Sequence, residues 1–158
     1  MNWGSWLLSG LLATLALSTL LSASQGIGLT RMNLIYLLGT VITSNRERAH
    51  SYGLGLHLLL GWAFSILYVQ IFEDRRLATW WFGLLLGLAH ALLLLTVGMS
   101  LMPNIHPRMA SEKRGPDAIR QLEPPGFFGL NYGLQTPVSV LLSHAVFGMI
   151  LGSLYRLS

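Results

Sequence analysis

The sequence predicts an all-α, polytopic membrane protein: four transmembrane helices in a compact bundle, plus one short helix that is interfacial or re-entrant. Three observations carry this. Hydrophobic residues make up 53% of the 158 and charged residues 10%, against about 25% charged in an average soluble domain. No charge occurs before Arg31, and apolar runs of span length recur three more times. The mean hydropathy is +0.56. Ten basic and six acidic side chains are too few to cover a soluble enzyme. The lack of cysteine excludes a secreted disulfide scaffold, and so apolar a chain is not disordered.

A helix rises about 1.5 Å per residue and the hydrocarbon core is about 30 Å thick, so about 20 apolar residues span it. The first span covers residues 5–24 and carries no charge. It is expected to be retained, because Met1–Trp6 lack the basic residues of a signal peptide. The second covers 53–72 and stops at Glu73, Asp74, Arg75 and Arg76. The third covers 79–102 and is halted by Pro103, and the fourth covers 137–155 and closes at Arg156. Unpaired backbone groups cost several kcal/mol each in hydrocarbon, so these runs are helices and not strands. Trp3, Trp6, Tyr52, Trp80, Trp81, Tyr132 and Tyr155 lie near the span ends, where aromatic belts form.

Residues 32–43 are apolar but too short to cross. As a helix they align Asn33, Tyr36, Thr40 and Thr43, bracketed by Arg31 and Arg46. That pattern fits an interfacial or re-entrant helix. The basic residues then set the orientation. Arg31, Arg46 and Arg48 precede the second span, and Arg108, Lys113, Arg114 and Arg120 lie in the loop at 103–136. Arg75, Arg76 and Arg156 lie on the other side. The bias places both long loops in the cytoplasm and both termini outside, in a plasma membrane of the bacterial inner type. The net charge of +4 follows from these loops and suits anionic lipid; no nucleic-acid partner is expected.

Two stretches resemble each other without gaps. His57, Gly61, Leu67 and Tyr68 align with His144, Gly148, Leu154 and Tyr155, and small Ser65 aligns with Gly152. The chain then reads as two helical hairpins, each a span, a long basic loop and a second span. Spacings of three and four put His57, Gly61, Ser65 and Tyr68 on one helix face, and His144, Gly148, Gly152 and Tyr155 on another. Gly83, Gly87, His90, Leu94 and Gly98 form a stripe in the third span, and Ser5, Ser9, Ala13 and Ala16 in the first. In lipid, small-residue stripes allow the close backbone approach that holds helices together. Gly61, Ser65, Gly83, Gly87, Gly148 and Gly152 are accordingly the expected packing positions.

Ionisable residues inside spans point to function by default. The spans contain no Asp, Glu, Lys or Arg, but they hold His57, His90 and His144. Counted from the cytoplasmic ends, these lie at about 6, 18 and 10 Å. That spread disfavours a three-histidine metal centre, leaving His57 and His144 as the closer pair. Three readings follow: imidazoles that hydrogen-bond between helices and hold the bundle, axial ligands of a haem, or a pair handling protons or contacting a quinone. The first leads, so no cofactor is expected, with haem as the alternative. Met99, Met102, His106 and Met109 form a second cluster whose softness suits copper(I), although Pro103 and Pro107 interrupt it. His50, near Arg46, Glu47 and Arg48, reads as a solvated loop residue. The charge-free run 124–133 (PPGFFGLNYG) is expected to lie in the headgroup layer, or else to form a lid over His57 and His144 with Asn131 as its first residue to test.

No phosphate-binding glycine loop, HExxH, CxxC, GxSxG or intramembrane carboxylate pair occurs, and no catalytic residue is assigned. The aligned His-xxx-Gly turns, with Pro-Gly-Phe-Phe-Gly before the last span, resemble small, uncharacterised four-helix integral membrane proteins of bacteria. The resemblance covers about half of the chain and implies the architecture only. The leading expectation is a non-enzymatic membrane component that packs against itself as a homo-oligomer or against a larger membrane complex. The alternatives are a redox or cofactor protein using the histidine pair, and a small oligomeric carrier or proton conductor.

Overall fold

A computed structural model describes residues 1–111 and 113–158. Its helices are α1 (Trp3–Gly26), α2 (Leu34–Ile42), α3 (Arg46–Arg75), α4 (Trp80–Leu93), α5 (Met99–Ile105) and α6 (Thr136–Leu154). A wide π-turn at Leu94–Gly98 joins α4 to α5, and a 3-10 segment at Phe127–Tyr132 precedes α6. No strand occurs among the described residues. Four stretches are long and apolar enough to cross a membrane: α1, α3, α4 continued through α5, and α6.

Asparagine begins three of the helices. The side chains of Asn2, Asn33 and Asn45 accept from the backbone N–H groups of Ser5, Tyr36 and Arg48, satisfying donors that a helix start leaves open. The Asn45 cap, with Glu47 in the first turn, starts α3 at Arg46, earlier than the apolar run suggests. His50 therefore sits on a helix rather than in a loop, with its ring 5.5 Å from that of Tyr36. Pro103 lies inside α5 rather than ending the third span. It forfeits only the bond to the Met99 carbonyl, and the helix closes two residues later.

The helices are not arranged in chain order. α6 packs most extensively on α4 and next on α1, and α1 packs on α3. Around the bundle the order is α3, α1, α6, α4. The α3 and α4 backbones, though joined by a short turn, barely meet; side chains bridge that seam, such as Phe72 against Phe82 at 6.0 Å.

Glycine sets the closest approaches. A β-carbon on Gly83 would collide with the Gly148 carbonyl, one on Gly148 with the Gly83 carbonyl, one on Gly87 with the His144 carbonyl, and one on Gly152 with the Thr79 carbonyl. Gly61 faces Thr14 across α1 and α3, and Gly10 faces Ser65. Gly61, Ser65, Gly83, Gly87, Gly148 and Gly152 are all buried, each on an inward helix face.

α2 spans only about 14 Å and lies antiparallel against the start of α3. Gly39 meets the Ala49 backbone and Gly53 meets the Ile35 carbonyl. Both of its ends stay at the end of the bundle where α1 finishes and α3 starts. The 3-10 segment covers the buried start of α6, where the hydroxyls of Thr30 and Thr136 bond at 2.6 Å. Its tight path uses left-handed backbone at Gly126, Phe128 and Gly129.

The bundle is apolar outside, and its core, built on Phe72, Phe147, Leu95 and Leu151, also takes in hydroxyls and imidazoles. On α1, Leu7, Leu8, Leu11, Leu12 and Leu15 are exposed while Ser9, Thr14 and Ser18 are buried. The buried hydroxyls donate to the carbonyls four residues back, Ser9 to Ser5, Thr14 to Gly10 and Ser18 to Thr14, so their desolvation is compensated. Trp6 donates to Ser65 at 2.8 Å and stacks on Trp62 at 4.7 Å, tying α1 to α3.

Candidate functional site

The three histidines of the long helices come together. α3 turns His57 toward α1, where its Nδ1 lies 2.9 Å from the Ser18 hydroxyl. α6 holds His144 with its Nδ1 donating to the Val140 carbonyl at 2.9 Å. α4 presents His90, whose Nδ1 is 3.0 Å from the Tyr68 hydroxyl. The rings of His90 and His144 meet edge to face at 5.1 Å. Phe64 stacks on His90 at 5.0 Å, and Phe147 meets Tyr68 edge-on at 5.3 Å.

All three imidazoles line one cavity of about 180 Å³, walled otherwise by apolar residues of α1, α3 and α6, by Met32, Leu34 and Leu38 around α2, and by Met99 and Met102 of α5. His57 and His144 are buried, at 6% and 4% exposure, and His90 is half-buried. Each ring uses Nδ1 to hold its place. Among the described residues no hydrogen-bond partner reaches the three Nε2 atoms. Leu60 and Phe64 reach both the cavity and the outer surface of α3. Leu94 and Gly98 line the cavity from the other side, which sets it beside the α3–α4 seam.

The depth count separates His90 from His144, yet the structure sets them side by side. The reason is stagger. Gly87 lies against His144 and Gly83 against Gly148, so two turns further on Leu95 is level with the start of α6. The α4–α5 helix continues well past that level, and counting depth from span ends assumed flush ends. No group of three His, Cys, Asp or Glu side chains among the described residues is placed to hold a metal ion.

The second cluster divides. Met99 and Met102 join the histidine cavity. His106 lies outside it, with its Nε2 donating to the Leu37 carbonyl at 3.0 Å and its Nδ1 accepting from the Arg108 backbone N–H at 3.1 Å. Met109 is buried apart from these. No residue of 124–133 lines the cavity, so this segment is not its lid. Asn131 instead braces its own loop, donating to the Pro124 carbonyl at 2.9 Å. A larger hollow of about 380 Å³ lies between α2 and the segment before α6, lined by Tyr36, Thr40, Arg108 and Gln121 among others. The Arg108 guanidinium there already donates to the Thr40 carbonyl.

Sequence reasoning did not single out Ser18 or Phe64 as partners of the imidazoles. Ser18 is one turn from Thr14 on the inward face of α1, the only signal that could have found it. No family model, no curated protein and no solved structure matches the chain.

Proposed function

We propose that the chain is an integral membrane protein that binds a small ring compound of the quinone type, drawn sideways from the lipid into the histidine cavity. The role is binding rather than catalysis. One observation carries it: imidazoles from three helices line a single apolar cavity, each with Nε2 unclaimed. An apolar pocket with a few converging polar groups is the ordinary form of a small-molecule site. Exposed leucines around buried Ser, Thr and His support membrane insertion, since lipid rather than water covers the outside. The basic loop residues support cytoplasmic long loops with both termini outside.

The cavity's 180 Å³ falls below the roughly 300–1,000 Å³ of pockets for drug-sized ligands. That favours one ring over a macrocycle such as haem. An alkyl tail on the ring would leave through the α3–α4 seam into the acyl chains. Two-hairpin duplication is supported by equivalent packing: Gly61 lies against the first helix of its hairpin, as Gly148 does in the other.

The test is titration of the protein in nanodiscs with an equilibrated mixture of an alkyl benzoquinone and its quinol, read by tryptophan quenching. Saturable quenching that is lost in His144→Ala and His57→Ala supports the reading. Quenching that stays linear, or is the same in the variants, overturns it.

A further inference from the structure

We infer that the cavity selects its ligand by hydroxyl hydrogens and so holds the hydroxyl-bearing, reduced form of the ring in preference to the carbonyl form. The inference rests on the binding reading above and adds the direction of its hydrogen bonds.

The fixed partners of the imidazoles decide that direction. Val140 offers His144 Nδ1 a backbone carbonyl, which can only accept. Nδ1 therefore carries the hydrogen, and a neutral imidazole with hydrogen on Nδ1 has a bare lone pair on Nε2. His57 reaches the same state by a different route. Its Nδ1 faces the Ser18 hydroxyl, whose single hydrogen goes to the Thr14 carbonyl at 2.8 Å. Ser18 must then accept from His57, and again Nε2 is left as an acceptor. No carboxylate lies in the four apolar spans to hold an imidazolium.

His90 is set the other way. The Tyr68 hydroxyl lies 3.0 Å from His90 Nδ1 and 3.5 Å from the Leu86 carbonyl. The shorter bond takes the hydroxyl hydrogen, so His90 carries its own hydrogen on Nε2. The cavity thus presents two acceptors and one donor inside an apolar wall. A ring hydroxyl satisfies both kinds: it donates to His144 or His57 and accepts from His90. A ring carbonyl would set lone pairs against the lone pairs of His57 and His144, leaving buried acceptors unpaired. Sites built to bond a hydroxyl discriminate strongly against analogues that lack it.

The experiment compares three probes anaerobically on the full chain in nanodiscs: an alkyl 1,4-benzoquinol, the matching quinone, and the bis-methyl ether of the quinol. The quinol is expected to bind at least about tenfold more tightly than either of the others. His144→Gln, which can place an amide N–H where the lone pair was, is expected to shrink that ratio. Quinone or ether binding as tightly as quinol overturns the inference while leaving the binding reading intact. Saturable binding by none of the three overturns both.

Discussion

The Tyr155 hydroxyl donates to Glu73 Oε1 at 2.6 Å across 82 positions of the chain. The same hydroxyl oxygen accepts from the Asn2 backbone N–H at 2.9 Å. The start of α1, the end of α3 and the end of α6 are thereby joined at the end of the bundle away from α2. Tyr155→Phe and Glu73→Gln are each expected to lower the temperature at which the detergent-solubilised protein stops eluting as a monodisperse peak. Glu73 also accepts from the Ser158 backbone N–H at 3.0 Å and from its hydroxyl at 2.9 Å, so Glu73→Gln should cost more than Tyr155→Phe. The double variant should lose less than the sum, because the bond between the two is shared. Additive losses would show that the two side chains act separately.

Glycine packing between α4 and α6 gives the sharpest contrast. Gly83→Ala or Gly148→Ala drives a methyl group into a facing backbone carbonyl, and overpacking of this kind costs about 1–3 kcal/mol or more. Gly55, in α3, has nothing within 4 Å of an added β-carbon. Gly55→Ala should be neutral or stabilising, since alanine favours helix by about 1 kcal/mol. Equal thermal stability in all three variants would contradict the contact.

His106 predicts a pH dependence. Burial pushes its affinity for a proton below the ordinary 6.5, the Arg108 charge adds to this, and the Leu37 carbonyl partly offsets it. The geometry agrees: Nδ1 accepts from a backbone N–H and has no room for a second hydrogen there. A proton binds the unfolded imidazole more readily than the folded one. Its contribution to stability is therefore full above pH 6.5 and falls as the pH drops through the folded value. Thermal stability measured between pH 7.5 and 5 should decline less steeply in His106→Gln. An unchanged slope would remove His106 from the account.

Topology has a clean readout because the chain has no cysteine. In the proposed orientation, Ser158→Cys reacts with an impermeant maleimide added to intact cells, and Lys113→Cys reacts only after lysis. The opposite pattern would invert the assignment.

The four long helices were legible because apolar runs of about 20 residues are written directly in the sequence. Glycine at helical spacing marks a face of an apolar helix, and Gly83, Gly87, Gly148 and Gly152 lie against facing backbone carbonyls. Helix starts were less legible: the Asn45 cap carries α3 through Arg46, Glu47 and Arg48, residues that a hydropathy pattern assigns to a loop. What local sequence could not supply was relative height. Whether His90 meets His144 depends on how far α5 outruns the start of α6, and that offset comes from the glycine register between α4 and α6.

Because α6 lies between α1 and α4, it supplies the backbone packing that α4 does not find on α3. Until residues 136–154 have been made, the Gly83 and Gly87 face of α4 has no backbone to pack on. The α1–α3 pair, tied by Trp6 on Ser65 and Trp62, is thus complete without α6, whereas a chain cut before residue 136 is expected to leave α4 undocked.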